Sequence, residues 1–130
     1  MVEGEFSSAS WNQDGILTNG GNRLRWQVFP YLTGYDYKNS IANGCFFNIA
    51  ARLARYTGNT TYSDHASKTF DWIQQVGFMT NDWQVYDGGH IEHNCTDINK
   101  VEFSYNSAVW LLGAANMYNY VCPPLSLLLP

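Results

Sequence analysis

Three observations predict an all-α fold built from αα-hairpins, with about three long helices. Apolar residues recur at helical spacing in three stretches, the first two stretches are joined by a short Gly-Asn link, and the first and third resemble each other 64 residues apart. A single ordinary domain is all that 130 residues allow.

Residues 1–23 are polar and rich in Gly, Ser and Asn, and are expected to form an irregular segment. Arg25-Trp26-Gln27-Val28-Phe29 alternates and stops at Pro30, the pattern of a short extended piece. The first helix has Asn39 or Ser40 as its cap. Ile41, Cys45, Ile49 and Leu53 follow at fourfold spacing on one face, with Phe46, Ala50 and Ala54 widening it, until Thr57-Gly58-Asn59 ends the run. Thr61 with Asp64 gives a capping-box-like start to the second helix, whose stripe is Tyr62, Ala66, Phe70 and Ile73, and Gly77 closes it. So short a connection predicts antiparallel packing of the pair.

Residues 78–102 lack helical periodicity. There Gln84-Val85-Tyr86 and His90-Ile91-Glu92 flank Asp87-Gly88-Gly89, which predicts a small β-hairpin within an interhelix loop. The third helix is expected from about Ser104 to Tyr120, with Tyr105, Val109, Leu112 and Asn116 in line, and Pro123-Pro124 blocks its extension. Ala50-Ala51-Arg52-Leu53 and Tyr56 match Ala114-Ala115-Asn116-Met117 and Tyr120, while Ser40 falls on Ser104 and Phe46 on Trp110. About one and a half hairpin units are therefore visible.

Lys and Arg number 7 against 11 Asp and Glu, and no basic run occurs, so charge-driven binding to nucleic acid or an anionic membrane is not expected. Aromatic residues reach 16%, and several sit beside amides or acids: Tyr35-Asp36-Tyr37, Asp82-Trp83, Tyr86-Asp87 and Tyr105-Asn106. Aromatic faces stack on sugar rings while neighbouring amides and carboxylates bond the hydroxyls, so this mixture suits a carbohydrate cleft as well as a core. The acidic opening Met1-Val2-Glu3-Gly4-Glu5 is no secretory signal, and Leu125 to Leu129 is too short to span a bilayer. Two N-glycosylation sequons, at Asn59 and Asn94, nevertheless point to the secretory pathway, and three cysteines leave one without an internal partner.

His90-Ile91-Glu92-His93 with Cys95 is the only metal-like cluster, but a second ligand pair is lacking and a solvated loop is the reading preferred; neither metal nor cofactor is expected. No Gly-x-Ser-x-Gly elbow or phosphate-binding loop occurs. Carboxylates remain, and glycoside hydrolysis uses two of them. Asp36, Asp82, Asp87, Glu92 and Asp97 all fall in loops or at helix entries, yet no two acids are adjacent anywhere.

Leu24-Arg25-Trp26-Gln27, Gly34-Tyr35-Asp36-Tyr37-Lys38-Asn39-Ser40, Asn43-Gly44-Cys45-Phe46-Phe47 and Ala50-Ala51-Arg52-Leu53-Ala54-Arg55-Tyr56-Thr57-Gly58-Asn59 follow in order. Val85-Tyr86-Asp87-Gly88, Asn94-Cys95-Thr96-Asp97-Ile98-Asn99, Ser104-Tyr105-Asn106 and Gly113-Ala114-Ala115 complete the set. Together they resemble glycoside hydrolase family 76, in its fungal cell-wall branch of mannan endo-1,6-α-mannosidases. The resemblance implies part of an (α/α)6 barrel, residues 24–121 being a partial family domain and 122–130 a tail outside the family pattern. Six such hairpins need roughly 380 residues.

It also implies a glycosidase or transglycosidase acting on α-1,6-linked mannose, whether mannan or the glycan of a lipid (GPI) anchor, in fungal cell-wall biogenesis. The implied location is secreted or at the cell surface, held by a lipid anchor that this chain does not encode. The family's catalytic pair is two consecutive aspartates ahead of the Arg-Trp-Gln motif; no Asp-Asp occurs here, so the resemblance assigns no catalytic residue. Asp36, Asp87, Tyr105 and Asn106 are the substrate-binding candidates, expected on one rim of the cleft. The alternative is a non-catalytic carbohydrate-binding or cell-wall scaffold protein.

Overall fold

The computed structural model describes residues 23–122, and the expectations for residues 1–22 and 123–130 lie outside them. The elements are β1 (Tyr37–Asn39), α1 (Ser40–Thr57), α2 (Thr60–Gln75), β2 (Tyr86–His90), a short 3-10 turn (Ile91–His93), β3 (Asn99–Glu102) and α3 (Ser104–Val121). Three helices were expected, and three occur among the described residues. α1 and α3 each hold 18 residues and begin 64 apart, at Ser40 and Ser104, as the internal repeat requires.

Asn39 starts α1 by accepting the Ala42 N–H at 3.2 Å. Gly58, at φ +68°, ends it by returning its N–H to the Ala54 carbonyl at 2.8 Å. α2 is capped two residues earlier than the Thr61–Asp64 pattern predicts. Asn59 reaches the Thr61 N–H at 2.9 Å, so one sequon asparagine is also a helix cap.

The face that α1 buries differs from the expected one. Ile49 is 60% exposed, and Cys45 and Leu53 are also exposed; the buried set is Ser40, Asn43, Gly44, Phe47, Ala50, Ala51 and Ala54. Small residues win this face because α1 and α3 approach closely. A Cβ on Gly44 would lie 2.8 Å from Trp110 Nε1, and one on Gly113 would lie 2.5 Å from the Phe47 ring. Phe47 and Trp110 stack across the seam with centroids 5.0 Å apart, and Trp110 Nε1 donates to the Ser40 carbonyl at 3.0 Å. α3 is shifted in the same sense: Asn106, Trp110, Gly113 and Asn116 are buried, while Tyr105 and Leu112 are exposed. α2 covers the other flank of α1 with Ala66, Thr69, Trp72 and Ile73.

The expected β-hairpin centred on Asp87-Gly88-Gly89 is replaced by a three-stranded antiparallel sheet of order β1-β2-β3. Asp87-Gly88-Gly89 is the interior of its central strand, not a turn. The glycines serve close approach there: a Cβ on Gly88 would stand 2.2 Å from the Lys38 carbonyl oxygen of β1. The sheet sits at the start of α1, where the Ser40 hydroxyl donates to the Tyr86 carbonyl.

Candidate functional site

The sheet gathers the polar chemistry of the molecule. β1 and β2 pair with Tyr37 opposite His90 and Asn39 opposite Gly88. Tyr37 passes its ring close to Gly88, where even a methyl group would meet Cε1 at 3.0 Å. Its hydroxyl then donates to Asp87 Oδ2 at 2.8 Å. Asn99 Nδ2 approaches the same oxygen from β3 at 3.4 Å. The β2–β3 register slips at this point, Tyr86 facing Glu102 and Gly88 facing Asn99, so Asp87 sits at a β-bulge. Burial and the charge of Asp87 both push the Tyr37 phenol well above its ordinary value, so it is a proton donor throughout the working range. Asp87 stays half-buried. It is a fixed acceptor with one oxygen held and the other available.

A second acid–base group adjoins it. Asp97 Oδ1 accepts the His90 N–H at 2.9 Å and Oδ2 lies 2.5 Å from the His90 ring nitrogen, with His93 Nδ1 at 3.5 Å. The hydrogen bond to Asp97 raises the His90 pKa. His90 also meets Tyr37 edge-to-face at 4.9 Å, which links the two groups. Behind the sheet, burial lowers the Lys38 ammonium to about 8, and burial pushes the Cys95 thiol upward. Among the described residues no cluster of three or more His, Cys, Asp or Glu side chains could hold a metal ion.

The four binding candidates part company here. Asp87 is at the centre of this network. Asp36 is half-buried just before β1, and its carbonyl accepts the Ile91 N–H at 2.8 Å, so it borders the same turn. Tyr105 is exposed in the first turn of α3, stacked on Phe103 at 5.3 Å. Asn106 is fully buried on the side of α3 that carries Trp110, with both amide atoms lacking a partner. The sequence reading missed Tyr37, Asn99, His90 and Asp97 as partners. The Tyr35-Asp36-Tyr37 run, the His90–His93 cluster and Asp97 among the loop carboxylates were the local signals, while the pairing of Tyr37 and Asn99 with Asp87 is made across strands. Of the sequon asparagines, Asn59 and Asn94 are both exposed.

Comparison with known proteins matches residues 4–122 to the model of glycosyl hydrolase family 76. The chain is 49% identical over 121 residues to the mannan endo-1,6-alpha-mannosidase DFG5 of Saccharomyces cerevisiae, covering 92% of this chain and 26% of that protein. It is 47% identical over 122 residues to the mannan endo-1,6-alpha-mannosidase DCW1 of Candida albicans, again covering 92% and 26%. The crystal structure of Dfg5 from Chaetomium thermophilum in complex with glucosamine superposes with a TM-score of 0.76 at 58% identity, over 78% of this chain and 25% of that one. The chain thus spans about a quarter of the length of the relatives it matches. With nearly its whole length matched by the family model, the chain belongs to glycoside hydrolase family 76.

Proposed function

We propose that this chain forms one wall of the glycan cleft of a mannan endo-1,6-α-mannosidase or transglycosidase, within an (α/α)6 barrel. The observation that carries the reading is Asp87. It is a half-buried carboxylate with one oxygen fixed by Tyr37 and Asn99, in a chain 49% identical to a mannan endo-1,6-alpha-mannosidase. A carboxylate oriented this way accepts hydroxyl hydrogen bonds from a sugar without rearranging, which is how a preformed glycan site gains selectivity. The substrate is α-1,6-linked mannose, as mannan or as the glycan of a lipid anchor. The setting is the fungal cell surface, reached through the secretory route.

Bond cleavage needs a carboxyl acid and a second carboxylate flanking the scissile bond. The 130 residues contain no Asp-Asp, and Asp87 is committed to holding its partners, so the role assigned to this chain is substrate binding.

Titration of the 130-residue chain with α-1,6-mannobiose, followed at the backbone amide of Asp87, tests the binding role. Saturable shifts are expected with α-1,6-mannobiose and not with an α-1,4-linked glucose disaccharide, and Asp87→Asn should weaken binding about tenfold, the loss of one charge-assisted hydrogen bond. Equal response to both disaccharides would sink the assignment. Release of reducing sugar from α-1,6-mannan by this chain, abolished by Asp87→Asn, would overturn the non-catalytic role.

A further inference from the structure

Among the described residues Trp83 is one of two exposed tryptophans, Trp26 at 52% being the other. Trp72 and Trp110 are sealed in the core, whereas Trp83 is 65% exposed. Its backbone lies in the left-handed region at φ +65°, which glycine adopts freely and a bulky side chain adopts only under strain. The turn around it holds it there. Met79 and Val85 pair as an isolated antiparallel bridge. Inside that bridge the Thr80 N–H donates to the Gln84 carbonyl and the Trp83 N–H to the Thr80 carbonyl, both at 3.0 Å. The Gln84 N–H donates to Thr80 Oγ1 at 3.1 Å. Phe78, Met79 and Val85 are buried at the base of the turn, so its tip is anchored.

Strain of this kind persists only where the surroundings over-determine it, and it is concentrated at ligand contacts. Here it displays an indole flanked by Asn81, Asp82 and Gln84, all exposed. A flat aromatic face ringed by amide and carboxylate groups is what a pyranose needs: the ring stacks through its C–H face and the hydroxyls find partners at its edge. The turn feeds directly into β2, and Trp83 precedes Asp87 by four residues. Four residues span at most about 14 Å between Cα atoms, a separation within the length of a short oligosaccharide.

We infer that Trp83 is a stacking platform for a mannose ring of an α-1,6-linked glycan whose neighbouring unit is held at Asp87. This rests on the mannan-binding role proposed above and adds a specificity-determining residue to it. The polar edge supplies partners for the hydroxyls, and the indole favours a ring presenting an apolar C–H face.

The test uses the 130-residue chain carrying 5-fluorotryptophan, which gives one fluorine resonance for each of its five tryptophans. Trp83→Gly identifies the signal of position 83. With α-1,6-mannobiose that signal is expected to shift and saturate, and in Trp83→Gly the affinity read at the Asp87 amide is expected to fall several-fold. The same substitution should raise the melting temperature by a few degrees, because glycine relaxes the left-handed backbone. Trp83→Tyr should keep most of the binding. A fall in melting temperature for Trp83→Gly would assign the indole to packing and overturn the inference. A mannobiose shift at Asp87 with a silent Trp83 signal would overturn it too, leaving the mannan role intact. No shift at either position would remove both.

Discussion

The seam between α1 and α3 is closed by shape, whereas the sheet at the start of α1 is closed by hydrogen bonds. In the seam, Gly44 and Gly113 admit the rings of Trp110 and Phe47 to distances at which a methyl group would collide. Two side-chain hydrogen bonds cross it among the described residues, Trp110 Nε1 to the Ser40 carbonyl and the Arg55 guanidinium to Asn116 Oδ1 at 3.1 Å. In the sheet, three short strands carry Tyr37, Asp87, Asn99 and His90, and the loop before β3 adds Asp97, all of them half-buried or exposed and each bonded to another. The first region tolerates no change of volume. The second tolerates volume but depends on charge. Sugar hydroxyls can be bound only where polar groups are both fixed and reachable, and this chain separates that requirement from the one that keeps it folded.

The largest effect should come from emptying the seam. Trp110→Ala removes a ring stacked on Phe47 and leaves the Ser40 carbonyl without its donor. A loss of about 3–5 kcal/mol is expected, a large part of the 5–15 kcal/mol that holds a domain of this size. Urea unfolding followed by circular dichroism measures it. A loss under about 1 kcal/mol would mean the seam is not the core of the described region.

Overfilling the seam should be milder. Gly113→Ala places a Cβ 2.5 Å from two atoms of the Phe47 ring and 3.3 Å from the Asn48 Cα. The ring can tilt but the backbone beyond it cannot, so about 1–3 kcal/mol is expected. Adding Phe47→Leu to Gly113→Ala should recover part of that loss. Simple additivity of the two losses would show that the collision is not between these residues.

These two regions were unequally legible in the sequence. Most helix limits were read well because they are local: Asn39, Gly58 and Gly77 mark ends by their own chemistry, and Ser40 and Ser104 repeat, whereas the cap that starts α2 is Asn59 and not Thr61. The buried face of α1 was read only in part: Ala50 and Ala54 are buried as expected, whereas Cys45, Ile49 and Leu53 are exposed. Periodicity weights large apolar residues, so it chose the line of Ile41, Cys45, Ile49 and Leu53, while close helix contact selects Gly and Ala. Asp87-Gly88-Gly89 has the composition of a turn, but its Gly88 is there because β1 lies too close for a side chain. Asp87 itself was legible as an acid beside an aromatic. Its partner Tyr37 is 50 residues away, and nothing in local sequence announces a strand pairing across that span.

In the sheet, Tyr37→Phe should have a smaller effect on stability than either seam change. It removes one hydrogen bond to a half-buried carboxylate, about 0.5–1.5 kcal/mol, discounted by solvent access to Asp87. The contrast with the seam sharpens if α-1,6-mannobiose binding falls more than stability does. A variant that melts several degrees lower yet binds sugar normally would show that Tyr37 supports the fold and not the site.

The smallest effect is one of pH, and it separates the regions most cleanly because the seam contains no titrating pair. The His90 pKa is raised by its hydrogen bond to Asp97, helped by the nearby charges of Asp36 and Glu92 and opposed by burial. For Asp97, burial pulls upward, but the backbone N–H and ring of His90 outweigh it and leave the carboxyl below its ordinary value. A raised histidine contributes fully below its unfolded pKa and fades as pH rises through the folded one. A depressed aspartate contributes fully above its unfolded pKa and fades as pH falls through the folded one. The two windows overlap between the ordinary values of 3.8 and 6.5, so the turn from His90 to Asp97 should be tightest in mildly acidic solution. Both side chains are well exposed, so solvent and salt keep the effect small. Protection factors for the backbone amides of His90 and Cys95 should be higher at about pH 5 than at about pH 8, and the difference should vanish in Asp97→Asn. Amides across the α1–α3 seam should show no such change. Equal protection of the His90 amide at both pH values in the unaltered chain would mean that backbone bonds alone hold the sheet end, and that charge does not distinguish it from the seam.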